Sequence, residues 1–247
     1  MLRPVRAAAD RPASHPKASR PKAPHGAAPL VGAPRIETPA AHAPPRVRYR
    51  PGLLDAPAQA ALLQAVRDVI AAAPLYRPAM PRTGAPFSVM MTNAGPLGWV
   101  ADRGGYRYQP THPLTGKPWP PIPAPVLALW HELTGYPAPP EACLVNYYAA
   151  DARMGLHQDR DEQALAAPVL SLSLGDTAIF RIGGTARGGR TRSLRLASGD
   201  AILLEEESRL AFHGIDRILG GSSRLLAEGG RFNLTIRRVT PPHRAGA

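Results

Sequence analysis

The sequence predicts a mainly β chain with flanking helices, an α+β protein built on a barrel or jelly roll. Three observations carry this. The 247 residues suffice for one sizeable core and are few for two full domains. From Ala142 onward, short alternating apolar runs are separated by turn signals such as Gly183-Gly184 and Ser198-Gly199-Asp200. Ahead of them lie two stretches of helical periodicity. Many short strands at close spacing are the pattern of closed or double-sheet β folds.

Taken in order, Asp55 is placed to cap a helix on which Ala58, Leu62, Leu63, Val66 and Ile70 recur with helical spacing. A second helix is expected from Ala124 to about Leu133, after a proline cluster. Between them, Pro74 to Pro123 reads as a loop-rich stretch holding Trp99, Tyr106, Tyr108 and Trp119. The expected strands are Cys143–Tyr148, Val169–Leu174, Ala178–Ile182, Arg192–Leu196, Ala201–Glu205, Leu210–His213 and Phe232–Arg238. Trp119 and His131 read as structural residues, and Cys143 as a buried strand residue.

Composition bounds the function. No apolar run approaches the roughly 18–20 residues that span a bilayer, and the basic N-terminus lacks the apolar core of a signal peptide. A single cysteine rules out an internal disulfide and a multi-cysteine zinc site, and it fits a reducing cytosol. The expectation is a cytoplasmic monomer with no membrane partner. Net charge is +12, which favours a polyanionic partner. Residues 1–50 hold 10 Lys+Arg against Asp10 and Glu37, with 10 Pro and 12 Ala. Such a segment buries too little apolar surface to offset its chain entropy. Residues 1–47 are therefore expected to be a disordered basic tail, and 48–247 the folded domain. Phosphate tether and solvated extension both remain open for the tail.

Two patterns carry chemistry. In Leu156-His157-Gln158-Asp159, His157 and Asp159 are two apart, so on extended chain they face one side. A further histidine, His213, lies 54 residues on. Two imidazoles and one carboxylate on one face of Fe(II) leave open positions for a bidentate cosubstrate and dioxygen. An isolated pair of this kind also arises by chance, as an exposed polar turn. The second pattern is Arg231-Phe232-Asn233-Leu234-Thr235-Ile236-Arg237, where Arg231, Asn233, Thr235 and Arg237 share one face. Four polar residues on one strand face are costly unless that face lines a pocket or is solvated at an edge. Two arginines there imply a small carboxylate. A dicarboxylate beside an Fe(II) triad points to 2-oxoglutarate.

HQDRDE (157–162), the His213 segment and RFNLTIR (231–237) resemble the AlkB family of Fe(II)/2-oxoglutarate dioxygenases. The likeness extends through MTNAGPLGW (91–99), YRY (106–108), KPWP (117–120), ACLVNYYA (142–149), PVLSLSLG (168–175), IFRIGG (179–184) and ESRLAFHGI (207–215), covering about 51–238. It implies a double-stranded β-helix, a form of jelly roll, with an N-terminal nucleotide-recognition lid over about 75–123. It also implies oxidative demethylation of bases such as 1-methyladenine and 3-methylcytosine in single- or double-stranded DNA, or in RNA. Methyl hydroxylation and formaldehyde release would be coupled to 2-oxoglutarate decarboxylation.

By position, His157, Asp159 and His213 would ligate iron. Arg231 would pair with the far carboxylate of 2-oxoglutarate, with Tyr148 beside it. Arg237, Asn146 and Asn233 would hold the iron-side end. Trp99 would stack on an extruded base with the His157 ring on its other face, Met91, Tyr106 and Tyr108 would belong to the lid, and Asp161 and Arg187 would contact the nucleotide. A base methylated at a pairing nitrogen is cationic and pairs poorly, so it costs less to flip. The chain departs from the family pattern at Tyr147, where a basic residue is usual, and at Leu204-Glu205-Glu206, where a Trp-Gly-Gly-like run is usual. Other readings are a non-catalytic binder of damaged nucleic acid and a dioxygenase acting on protein or lipid. The complete triad and both arginines weigh against the first, Trp99 and Asp161 against the second.

Overall fold

The computed structural model describes residues 42–242. In chain order, strand β1 (Arg48–Arg50) leads into helix α1 (Ala56–Ala72), strands β2 (Met90–Ala94), β3 (Gly98–Asp102) and β4 (Gly105–Gln109), and helix α2 (Ala124–Thr134). The rest is β: β5 (Ala142–Tyr148), β6 (Met154–His157), β7 (Val169–Gly175), β8 (Thr177–Ile182), β9 (Arg192–Leu196), β10 (Ala201–Leu204), β11 (His213–Leu219) and β12 (Arg231–Arg237). The tail expected over 1–47 lies outside the described residues as far as residue 41. Among the described residues no helix is long and apolar enough to cross a membrane.

The strands form a six-stranded sheet, β1-β10-β7-β12-β5-β2, and a four-stranded sheet, β6-β11-β8-β9, with β3 and β4 as a separate hairpin. Every pairing is antiparallel. This is the double-sheet, jelly-roll arrangement that the strand spacing predicts.

Alternation along β12 assigns the two faces of the large sheet. Phe232, Leu234 and Ile236 join Cys143 and Val145 of β5 and Leu170, Leu172 and Leu174 of β7 in one apolar cluster. Helices α1 and α2 close that face through Leu62, Leu63, Val66, Val126 and Trp130. The opposite face points at the small sheet. There Leu144, Ile202 and Leu204 pack with Phe180, Ile182, Leu196 and Ile215. Helix α1 starts where the sequence places it, with the Asp55 carboxylate accepting from the Ala58 N–H at 2.9 Å. Cys143 is buried. Trp119 packs against Ala73, Tyr76 and Val100, whereas His131 is exposed.

Several elements depart from the sequence expectation. The stretch read as loop contains β2, β3 and β4. In β2 the polar Thr92 and Asn93 are both buried, so no alternation marks the strand. Their side chains bond instead to Ala73 O at 2.8 Å and to the Trp99 backbone at 3.0 and 3.1 Å. The strand expected over Leu210–His213 begins only at His213, because a 3-10 turn at Glu206–Ser208 precedes it. Its continuation leaves Asp216 and Arg217 both exposed at a register shift between Ile215 and Arg217, so alternation fails there. Strands β1 and β6 are too short to show a period.

The packing predicts a clean separation of stability from chemistry. Leu234 is fully buried against the helices and points away from the polar face of β12. Leu234→Ala should cost about 2–5 kcal/mol of unfolding free energy. Chemical denaturation checks it, and a loss below about 1 kcal/mol would contradict this packing.

Candidate active site

The small sheet brings the first pattern together. His157 ends β6 and His213 begins β11, and the two residues are register partners. Their rings lie 4.6 Å apart between centroids. Asp159 completes the group: one ligand atom from each of His157, Asp159 and His213 falls within 4.8 Å of the others. Gly214 makes the approach possible, since a Cβ there would lie 2.5 Å from the Met154 carbonyl oxygen across the strand gap.

Both rings are held in one orientation. His157 Nδ1 lies 3.0 Å from Gly155 O, and His213 Nδ1 lies 3.0 Å from Ala211 O. A carbonyl only accepts, so each Nδ1 carries the hydrogen and each Nε2 is left as the ligating atom. Burial and the neighbouring His157 push the His213 imidazole down to about 4, so it is neutral at pH 7. Burial alone would raise the Asp159 carboxyl, but Arg237 and the two histidines outweigh it and hold it below the usual carboxylate range. Two imidazole nitrogens and an ionised carboxylate converging on one point fit a divalent first-row metal.

The two arginines of β12 meet different fates. Arg237 Nη2 lies 2.8 Å from Asp159 Oδ2, and its Nε lies 3.4 Å from Glu162 Oε1. Burial would lower the guanidinium, but Asp159, Tyr108 and Glu162 raise it beyond its ordinary value. Arg231 is fully buried, and its partners are all neutral. Nη2 donates to Ser173 Oγ at 2.7 Å, and Nη1 to Leu196 O at 3.2 Å and to Asp176 O at 3.4 Å. Its Nε has no partner among the described residues. Burial pulls its pKa down to about 10, so it remains charged at pH 7. A buried cation with an orphaned N–H fits a carboxylate from outside the chain. Tyr148, its register partner on β5, faces the same pocket. Asn146 Nδ2 donates to Asn233 Oδ1 at 3.4 Å, and Asn146 Oδ1 is likewise buried without a partner.

A pocket of about 580 Å³ joins these groups to the β3–β4 hairpin. Trp99 Nε1 donates to Asp161 Oδ2 at 2.9 Å. Tyr106 stacks on the Trp99 ring, with centroids 5.5 Å apart and planes at 17°. Met91 lines the floor and is buried. Arg187 stands at the rim with its guanidinium 5.0 Å from the Phe212 ring centroid. Tyr108 points inward and donates to Glu162 Oε1 at 2.5 Å. Of the family departures, Tyr147 turns to the helix side and packs on Phe232 at 5.0 Å between centroids. Leu204 lines the pocket, and Glu205 pairs with Arg48 at 3.0 Å.

Sequence reasoning passed over Glu162 and Arg209. Arg209 donates to Asp159 O and Ala167 O and pairs with Glu162 at 3.1 Å, so both lock the loop that carries the metal carboxylate. Glu162 lay inside the motif already singled out, and its burial at 5% is what marks it. Arg209 lay in the ESRLAFHGI segment just ahead of the expected strand, and no local pattern there marks its distant partners.

Comparison with known proteins agrees with this geometry. The model of the 2OG-Fe(II) oxygenase superfamily matches residues 46–237. An alpha-ketoglutarate-dependent dioxygenase AlkB homolog of Caulobacter vibrioides is 58% identical over 191 residues, 76% of this chain and 86% of that protein. The alpha-ketoglutarate-dependent dioxygenase AlkB of Escherichia coli is 42% identical over 182 residues, 72% of this chain and 83% of that protein. The solved structure of OsALKBH1 matches with a TM-score of 0.67 at 28% identity, covering 78% of this chain and 97% of that one. The chain therefore belongs to the AlkB family of Fe(II)- and 2-oxoglutarate-dependent dioxygenases.

Proposed function

We propose that this dioxygenase removes methyl groups oxidatively from cationic nucleobases of the 1-methyladenine and 3-methylcytosine type in DNA, acting as a cytoplasmic monomer. The observation that carries this reading is the Trp99–Asp161 pair at the mouth of the metal pocket. An indole face and a carboxylate together suit a flat cation, and a cation over indole gains on the order of 0.5–2 kcal/mol. Relatives are consistent with nucleic acid as substrate: one from Arabidopsis thaliana is a DNA N(6)-methyladenine demethylase, and one from Schizosaccharomyces pombe is a tRNA demethylase.

Each residue then has a task. His157 and His213 present Nε2 to iron, and Asp159 presents a carboxylate that Arg237 keeps ionised and oriented. Arg231 takes the far carboxylate of 2-oxoglutarate on its orphaned edge, with the Tyr148 ring beside it. Asn146, Asn233 and Arg237 line the iron-side end. The base lies against the indole face that Tyr106 leaves free, Met91 closes the floor, and Asp161 and Arg187 bind its edge and phosphate. Residues of about 75–123 act as the lid, with Tyr108 fastening it to the metal loop through Glu162. Bound iron and 2-oxoglutarate supply the oxidation: dioxygen is consumed, 2-oxoglutarate becomes succinate and carbon dioxide, and the hydroxylated methyl leaves as formaldehyde.

Formaldehyde release from a methylated oligonucleotide tests the triad. His157→Ala, Asp159→Ala and His213→Ala should each abolish it, and iron-dependent activity near wild type in any of them would remove that residue from the ligand set. Arg231→Ala should raise the KM for 2-oxoglutarate steeply, since breaking a buried charge pair costs roughly 3–5 kcal/mol. A KM within about twofold of wild type would assign the carboxylate to another residue.

Trp99→Ala should lower kcat/KM about ten- to a hundredfold, because base stacking contributes about 1–3 kcal/mol. Asp161→Ala should harm 1-methyladenine more than a neutral etheno adduct. Equal losses on both lesions would mean that Asp161 only anchors the indole N–H.

A further inference from the structure

Residues 177–199 hold five arginines, Arg181, Arg187, Arg190, Arg192 and Arg195, with no lysine and no acidic residue. They fold as the β8–β9 hairpin, with β9 at the edge of the small sheet. Arg181 meets a carboxylate, its Nη1 lying 3.7 Å from Asp216 Oδ1. Arg187, Arg190, Arg192 and Arg195 are exposed, and none is ion-paired among the described residues. Arg192 donates only to the Pro45 carbonyl, at 3.2 Å. Like charges on one hairpin repel one another, and no ion pair among the described residues offsets this for these four.

The hairpin begins at the pocket. Arg187 lines the same cavity as Trp99 and His213. Strand β9 rises about 3.3 Å per residue, so Arg192 and Arg195 lie on the order of 10 Å apart and, leaving opposite faces of the strand, flank its open edge. The N-terminal chain arrives at the same place. Gly189 has φ +82°, and a Cβ there would lie 2.6 Å from the His42 carbonyl oxygen. His42, the first described residue, thus lies against the hairpin tip.

We propose that the β8–β9 hairpin is a phosphate track for the nucleic-acid backbone flanking the nucleotide in the pocket, with Arg190, Arg192 and Arg195 as its contacts beyond Arg187. The inference rests on nucleic acid being the substrate. Guanidinium forks match phosphate geometry, and contacts of this kind position a strand without reading its sequence. The competing explanation is edge protection, since charges on an edge strand block pairing with another chain. That role places no demand on phosphate and leaves no salt signature.

The test is binding of the full chain to an unmodified single strand of about 15 nucleotides, titrated from about 50 to 200 mM salt. R190Q/R192Q/R195Q should make the slope of log affinity against log salt shallower by about 2, three contacts at roughly 0.7 each. R190K/R192K/R195K should keep the wild-type slope, as should R67Q/R224Q, whose exposed arginines lie on α1 and in the 220–230 loop. An unchanged slope in the triple glutamine variant would overturn the track, and so would an equal change in R67Q/R224Q. Formaldehyde release by the wild type from a methylated trinucleotide reads the demethylase assignment separately. If it fails while the salt slopes behave as stated, the demethylase reading falls and the track stands.

Discussion

Everything at this site depends on burying two guanidinium groups on one face of one strand. Strand β12 is covered on both sides, by helices on its apolar face and by the small sheet on its polar face. A buried cation needs compensation. Arg237 receives it within the chain, from Asp159 and Glu162. Arg231, six residues away on the same face, receives only neutral oxygens and keeps one N–H unpaired. The strand thus holds one arginine that fixes Asp159 and one buried cation with no charged partner among the described residues.

The two sheets divide the labour. The small sheet delivers the imidazoles, because β6 ends and β11 begins at the same register point. The large sheet delivers the arginines and asparagines through β5 and β12, paired so that Arg231 faces Tyr148 and Asn233 faces Asn146. Asp159 lies between them on the loop after β6 and is held from the large sheet by Arg237. The β3–β4 hairpin is fastened to that same loop twice, through Trp99–Asp161 and Tyr108–Glu162. The hairpin is thereby tied to the segment that carries Asp159.

Much of this was legible in the sequence. The strict alternation of 231–237 gave both faces of β12 correctly, and the His-x-Asp spacing gave the shared side of His157 and Asp159. The Asp55 cap and the spacing of Leu62, Leu63 and Val66 gave helix α1. What escaped has physical causes. Strand β2 buries Thr92 and Asn93 against backbone partners from distant loops, so its polarity obeys tertiary contacts and not period. Strand β11 carries a bulge, which breaks alternation beside Asp216. Glu162 and Arg209 satisfy each other across 47 residues, a relation that no local window contains. The arginines of 187–195 are plain in the sequence, but only the fold puts them around the open edge of β9 beside the pocket.

Oxidation of 2-oxoglutarate and loss of a base methyl group are proposed to be joined in one pocket. The most direct measurement is the ratio of formaldehyde to succinate, with Fe(II), 2-oxoglutarate and a 1-methyladenine oligonucleotide supplied to the full chain. A ratio near one, with succinate falling to background when the methyl group is omitted, is the predicted result. Succinate formed at the same rate with and without the methylated base, and no formaldehyde, would contradict it.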